Sequence, residues 1–275
     1  MNRIIDTKII ADSFSNKAAE YDSHIIVQKR VVAQLVASIE SHLKDSPSRI
    51  LDVGTGTGNL LGNLRSSYPD AAVYGADIAP NMCRLAQQKL GESAQIMIGD
   101  AVNLPFGTEE FDLIVSSSAL QWVENLAVAV NEMRRVLKPG GSIYLAFFCD
   151  GTLSELHSCF RDVLMLKDSS STPPLSRLHD FRTVDQVNAI LKRLDLEQFV
   201  VTVETEVDWY DDLNSLLRSI KNIGAGSVTG GSVKGLGWRG IFSEISRLYY
   251  ERFGQNGRIP ATYRVLYLTA SVSNG

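Results

Sequence analysis

Three observations predict an α/β fold in which a mostly parallel seven-stranded sheet carries helices on both faces. Ile50, Leu51 and Val53 form a short apolar strand that runs into Gly54, Gly56 and Gly58, after which Leu60, Leu61 and Leu64 take up helical spacing. From 46 to 150, apolar strands and amphipathic helices alternate, as parallel strands joined by crossover helices require. Beyond 150 the pattern loosens, but Phe199–Trp209 and Tyr263–Ser271 again alternate as strands. The 275 residues are read as one domain: a helical lid (1–45), a core (46–150), and the remaining sheet with a helical cap (151–275).

Taken in order, Ile25, Ile26, Val31, Val32, Leu35, Val36 and Ile39 make an apolar stripe over 24–43, with Asp22 or Ser23 as its cap. Ahead of it, the polar segment 11–21 holds Phe14 and Tyr21, which either pack into a groove or close as a lid over a ligand. Strands are predicted at 49–53, 72–77, 95–98, 111–116 and 142–148, and helices at 58–67, 80–90 and 124–137. Pro139-Gly140-Gly141 ends the last of these helices. Thr152–Lys167 reads as a helix, Asp168–Pro174 as a loop, and Val184–Leu194 and Asp211–Ile223 as helices. A glycine-rich loop over 224–237 leads to a helix at 241–253. Helices between the last two strands are expected over the carboxyl edge, where open α/β sheets bind ligands.

Composition excludes several classes. Apolar content of 44% and charge of 21% suit a globular core, and no apolar run approaches the roughly 20 residues that cross a bilayer. The first residues carry no signal-peptide pattern. Cys83, Cys149 and Cys159 lack metal or redox spacing, so packing residues, no metal and a cytoplasmic setting are expected. The net charge of −4 divides unevenly, with +4 over residues 211–275 and −8 over the rest. A basic C-terminal quarter suits an acidic partner, or is simply solvated. No basic run is dense enough for nucleic acid.

The glycine turn brings a ligand close to bare backbone at a helix N-terminus, unless it is only a tight turn that contains three glycines. It departs from the dinucleotide fingerprint, because the sixth position is Asn59 and not glycine. Strand two ends in Asp77, about twenty residues on, where a carboxylate can accept from both ribose hydroxyls or cap the helix at Pro80. Gly99-Asp100-Ala101 offers a carboxylate to the exocyclic amine of adenine and an amide to a ring nitrogen. Asp52 to Gly58, with Asp77 and Asp100, resembles the Rossmann-like class I S-adenosylmethionine-dependent methyltransferases. That resemblance implies S-adenosylmethionine as cofactor and S-adenosylhomocysteine as product. It further implies cofactor contacts from Asp52, Gly54, Thr55, Gly56, Gly58, Asp77, Ile78, Met82, Asp100 and Ala101, under Phe14 and Tyr21 of the lid. Ser116 or Ser117 would stand beside the methionine part, with Gln121-Trp122 capping the next helix or lining the pocket.

Four further stretches narrow the resemblance. They are Phe14…Tyr21, Gln121-Trp122-x-x-Asn125-Leu126, Gly151-Thr-Leu-Ser-Glu-Leu-His157 and Lys221-Asn-Ile-Gly-Ala225. Together they are similar to the malonyl-acyl-carrier-protein O-methyltransferases of biotin synthesis, over nearly the entire chain. The resemblance implies methyl transfer to the free carboxylate of a malonyl thioester on acyl carrier protein, with malonyl-CoA as an alternative acceptor. A carboxylate of pKa near 4 is already ionised at neutral pH, so no base is needed, and positioning and exclusion of water should dominate. Tyr21, Lys221 and Arg264 are candidates to hold it, with Gln121 and His157 behind them. Their plain structural readings are a solvated helix face for Lys221, a strand-edge cation for Arg264 and a packed side chain for His157. His24, His42 and His179 have no constellation around them. Arg218, Lys234 and Arg239 are candidates for a face that docks an acidic carrier.

Three other readings remain: a methyltransferase of this fold acting on another small carboxylate or a quinone precursor, a nucleotide-dependent oxidoreductase, and a non-catalytic cofactor binder. Asn59 and Asp100 count against the second, and the intact run from Asp52 to Gly58 counts against loss of cofactor binding in the third.

Overall fold

The computed structural model describes residues 6–166, 179–194, 198–225 and 236–272. Helices α1 (Thr7–His24) and α2 (Val27–His42) precede β1 (Arg49–Val53), α3 (Asn59–Ser67), β2 (Ala72–Asp77), α4 (Pro80–Leu90) and β3 (Ala94–Ile98). Then come β4 (Phe111–Ser117), α5 (Leu126–Val136), β5 (Leu137–Phe148), α6 (Ser154–Leu166) and α7 (Val184–Arg193). The chain closes with β6 (Gln198–Tyr210), α8 (Leu213–Asn222), α9 (Leu236–Phe253) and β7 (Ile259–Ser271).

The seven strands form one sheet in the order β3-β2-β1-β4-β5-β7-β6. Pairing is parallel from β3 to β5, and β7 runs antiparallel to both neighbours. Strand order reverses between β1 and β4, so the crevice at the carboxyl ends of these strands is the expected ligand site. Successive strand residues point to opposite faces, and each face has its own core. Ile50, Val73, Leu113 and Val265 pack against α2, α3, α6, α8 and α9. Leu51, Tyr74, Ile114 and Leu266 pack against α5 and α7. All three cysteines are buried and unpaired, as packing residues.

Four local expectations are corrected. Asp22 and Ser23 do not cap the second helix: both lie within α1, and α2 starts after Ile26 with no side-chain cap. Pro139-Gly140-Gly141 does not precede β5 but lies inside it, where pairing with β4 jumps from Phe111–Leu137 to Leu113–Ser142 and the extra residues bulge. The helix read from 241 starts at Leu236, through Gly237 and Gly240, because burial of Ile245 and Tyr249 outweighs poor local propensity. Strand β7 starts four residues before Tyr263, because β6 pairs with it without a break from Gln198–Ser271 to Tyr210–Ile259. The loop read over 168–174 and Lys167 lie outside the described residues, as do 226–235 of the glycine-rich loop.

Because β6 and β5 are both antiparallel to β7, β6 ends at the same carboxyl edge as β1 and β4. Helix α8 starts there, capped by Asp212 and Ser215, and buries Leu213, Leu216 and Ile220. Its far end meets α1, where the Ser13 hydroxyl donates to the Gly224 carbonyl at 2.6 Å.

Candidate active site

The glycine turn shows why its residues are glycine. Gly54, Gly56 and Gly58 have φ of 77°, 56° and 81°, in the left-handed region that side chains disfavour. The amides of Gly54 and Thr55 both donate to the Ala76 carbonyl, at 2.7 and 3.1 Å, which fastens the turn to the end of β2. A Cβ on Gly54 would lie 2.3 Å from the Ala119 Cβ, whereas one on Gly56 would meet nothing within 4 Å. The first glycine permits close approach of the segment after β4, and the second leaves its backbone open to a ligand.

A cavity of about 250 Å³ opens here at the carboxyl edge. Gly54, Gly56, Asp77, Ile78, Asp100, Ala101 and Ser117 line it from the strand ends, Met82 from α4, and Phe14 and Tyr21 from α1. Thr7 and Ile10 of α1, Ser118 to Leu120 and Val123 to Asn125 supply further walls that the sequence reading does not name as such, beside Trp122, which it does. Residues 7, 10, 14 and 21 share one helical face, which was a usable signal. Asp52, Thr55 and Ser116 are buried beside this wall without lining it, and Gly58 lies behind as the N-cap of α3. Gln121, Lys221 and Arg264 also stand outside the cavity lining. The Gln121 amide turns inward to the Ser118 carbonyl at 2.7 Å. Lys221 is exposed, because α8 turns its apolar face inward. Arg264 crosses over Gly151 and donates to the Asp150 carbonyl at 2.9 Å.

Asp77 stands where the glycine turn, the start of α4 and the cavity meet. One oxygen accepts from Gly56 N–H and the other from Ala79 N–H, each at 2.8 Å, so it braces the turn and the start of α4 while facing the cavity. Burial nevertheless raises its pKa. Asp52 is pushed up to about 7 by burial, with the charge of Asp77 adding and the Thr55 side chain opposing. The Thr55 hydroxyl still falls short of hydrogen-bond geometry, so both Asp52 oxygens and Thr55 Oγ1 are buried without a partner. The hydroxyls of Ser116, Ser117 and Ser118 and Gln121 Oε1 are in the same state. Buried groups of this kind are normally paired, and the two that line the cavity, the hydroxyls of Ser117 and Ser118, fit a polar ligand. Tyr21 stays a neutral phenol, since burial and then the charges of Asp77 and Asp22 raise its pKa. In that state it can donate a hydrogen bond but cannot act as a base.

His179, read as having no constellation, is corrected. It is 6% exposed, its Nε2 lies 3.0 Å from the Gln121 carbonyl, and its ring centroid is 4.5 Å from those of Trp122 and Phe181. Trp122 in turn meets Phe14 of α1 edge-on at 5.8 Å. Burial drives the His179 pKa down to about 4, with Arg182 and His157 adding to the shift and the Gln121 hydrogen bond and Asp180 opposing it. Below the ordinary value of 6.5 the unfolded chain binds a proton that the folded chain refuses, so stability falls as pH falls from 6.5 towards 4. The loss is on the order of 3 kcal/mol at the lower end. Urea unfolding should show the stability advantage of the wild type over His179→Asn shrinking between pH 7 and pH 4.5; a constant difference would refute the linkage.

A family model described as a methyltransferase domain matches residues 51–145, from β1 into β5. The chain is 39% identical over 266 residues to a malonyl-[acyl-carrier protein] O-methyltransferase of Geobacter sulfurreducens, covering 96% of this chain and 98% of that one. It is 34% identical to the biotin biosynthesis bifunctional protein BioHC of Teredinibacter turnerae, covering 94% of this chain and 46% of that longer one. Among solved structures, the YcgJ protein from Bacillus subtilis is similar in fold, with a TM-score of 0.60 at 20% identity over 88% of this chain and 99% of that one. With a relative of that name matched almost end to end, this chain belongs to the malonyl-[acyl-carrier protein] O-methyltransferase family.

Proposed function

We propose that the chain transfers the methyl group of S-adenosylmethionine to the free carboxylate of malonyl-acyl carrier protein, giving the methyl ester that starts biotin synthesis. The observation that carries the reading is the acceptor-rich cavity under α1, with Asp77 and Asp100 at the ends of β2 and β3 and the open backbone of Gly56 between them and β4. When bound, S-adenosylmethionine supplies an electrophilic methyl group on a positively charged sulfur. Asp77 suits the ribose hydroxyls and Asp100 with Ala101 the adenine edge, while the unpaired hydroxyls of Ser117 and Ser118, which line the cavity, suit the charged methionine end. Phe14, Trp122 and Met82 exclude water from the walls. An ionised carboxylate needs no base, and the cavity offers a phenol donor, Tyr21, to orient it. Contact with the acceptor through a neutral donor also leaves the nucleophile's charge available, which a tight ion pair would not.

The acidic carrier would meet the exposed cations of α8 and α9. Arg218 and Lys221 lie three residues apart on one face of α8, and with Arg239 they make no ion pair among the described residues. Lys221 is accordingly assigned to docking and not to the carboxylate; Lys234 lies outside the described residues. Reversing Arg218, Lys221 and Arg239 to glutamate should raise KM for the carrier at least tenfold at low salt, leave kcat within twofold, and matter less as salt rises. An unchanged KM would sink the docking assignment. No helix of the described residues is long and apolar enough to cross a membrane, which is compatible with a cytoplasmic setting beside the carrier.

The decisive experiment is transfer from labelled S-adenosylmethionine to malonyl-acyl carrier protein, with malonyl-CoA, acetyl-acyl carrier protein and free malonate in parallel. Methylation that prefers the malonyl carrier and is absent on the acetyl form is expected. Cofactor binding without transfer to any malonyl species would overturn the acceptor.

A further inference from the structure

Asn59 occupies the position at which a dinucleotide-binding turn would carry its third glycine, and the structure gives its side chain a partner on another element. Its Nδ2 donates to Asp22 Oδ1 at 2.8 Å and to Thr57 Oγ1 at 3.2 Å. The Thr57 hydroxyl, on a residue 4% exposed between two glycines of the turn, donates to the same Asp22 oxygen at 2.5 Å. Lys89 of α4 reaches the other Asp22 oxygen at 3.2 Å and also meets Asn59. Four side chains thus join the last turn of α1, the glycine turn and α4. Burial alone would raise Asp22, yet the hydrogen bonds from Thr57 and Asn59 and the charge of Lys89 hold it below its ordinary value. The Lys89 pair is half exposed and contributes little by itself. The directional weight rests on the Thr57 and Asn59 donors.

The position of this cluster matters more than its strength. Tyr21, the residue before Asp22, lines the cavity, and Gly56, the residue before Thr57 on the other side of the joint, lines it too. Elsewhere α1 is fastened by Ser15 with Asn81 at 3.1 Å, by Ser13 with Gly224, and by a small apolar cluster of Phe14, Ala18 and Tyr21 on Ala79, Met82 and Leu85. Its buried residues are few, namely Ile10, Ser13 and Ala18. A helix held so lightly by apolar packing depends on its polar ties for its placement.

We infer that Asp22 is a positioning residue, which pins the end of α1 to the glycine turn so that Tyr21 and Phe14 stay closed over the cavity and retain the bound cofactor and its product. The inference rests on the reading of that cavity as the S-adenosylmethionine site. Asp22 itself does not line the cavity, so its influence on retention passes through the placement of α1.

The test is the dissociation rate of labelled S-adenosylhomocysteine from the full chain, chased with unlabelled ligand. Asp22→Asn should speed dissociation about tenfold or more, with the association rate changed less than threefold. Thr57→Val, which removes the donor, should do the same, and Thr57→Ser, which keeps it, should recover most of the retention. Tyr21→Phe should speed dissociation in the wild type and add little in Asp22→Asn, because its ring is then already misplaced. Should Asp22→Asn fail to fold, Lys89→Met removes only the exposed member and should give a smaller increase, about two- to fivefold. A dissociation rate unmoved in folded variants, with only Tm lowered, would overturn the positioning role and leave the cofactor site standing. Failure of the wild type to bind S-adenosylhomocysteine would overturn the cofactor reading and this inference with it.

Discussion

Replacing Gly54 by alanine should abolish cofactor binding and destabilise the fold together. The residue has a φ of 77°, and its new methyl would lie 2.3 Å from the Ala119 Cβ. Left-handed backbone costs a side chain about 1–2 kcal/mol, and overpacking costs about 1–3 kcal/mol more. That sum is a large share of the roughly 5–15 kcal/mol available to a domain. The neighbour cannot yield cheaply, because Ala119 follows Ser118, itself at φ 56°, in the wall between β4 and Trp122. Relief would have to separate β1 from the end of β4. Gly56→Ala provides the control: it has comparable backbone strain but no neighbour within 4 Å. It should keep a Tm nearer the wild type and still bind poorly, since its methyl enters the cavity. Calorimetric titration beside thermal unfolding separates the two, and a Gly54→Ala variant with wild-type Tm would refute the close-approach argument.

Asp77→Ala should weaken cofactor binding about a hundredfold, or roughly 2.7 kcal/mol, while changing the stability of the free protein much less. Two effects oppose each other in the free fold. Loss of the carboxylate leaves the amides of Gly56 and Ala79 without their acceptor, at about 1–3 kcal/mol for a buried donor. It also removes a buried charge that the fold tolerates poorly, as the raised pKa shows. In the complex only the loss remains on the proposed reading, in which the ribose hydroxyls need the ionised acceptor. For the same reason affinity in the wild type should fall on acidification, as the carboxyl takes up a proton, and this dependence should weaken in Asp77→Asn. Binding by Asp77→Ala within threefold of wild type would remove Asp77 from the site.

Sequence alone determined the sheet, its glycine turn and the two carboxylates at the ends of β2 and β3. These features are local: alternation, a run of apolar residues and glycines at alternate positions constrain the backbone within a few residues, whatever the rest of the chain does. The family likeness was legible for the same reason, in short runs such as Gly151 to His157. The structure gives that run a mechanical meaning, since Thr152 Oγ1 accepts from the Arg264 amide and donates to its carbonyl, tying the end of β5 to β7. What only the tertiary structure decided is where the cations and histidines face. Lys221 and Arg264 had equal claims as carboxylate holders, but the packing of α8 sends one to solvent and the Asp150 carbonyl holds the other. His179 acquires Trp122 as a ring neighbour, and the Gln121 carbonyl as a partner, from the segment after β4, far away in sequence. Asp22, read as a helix cap, instead serves the glycine turn 35 residues on. A side chain's backbone conformation is set by its neighbours along the chain, whereas its partner is set by which elements the sheet order brings together, and that order is written in no single segment.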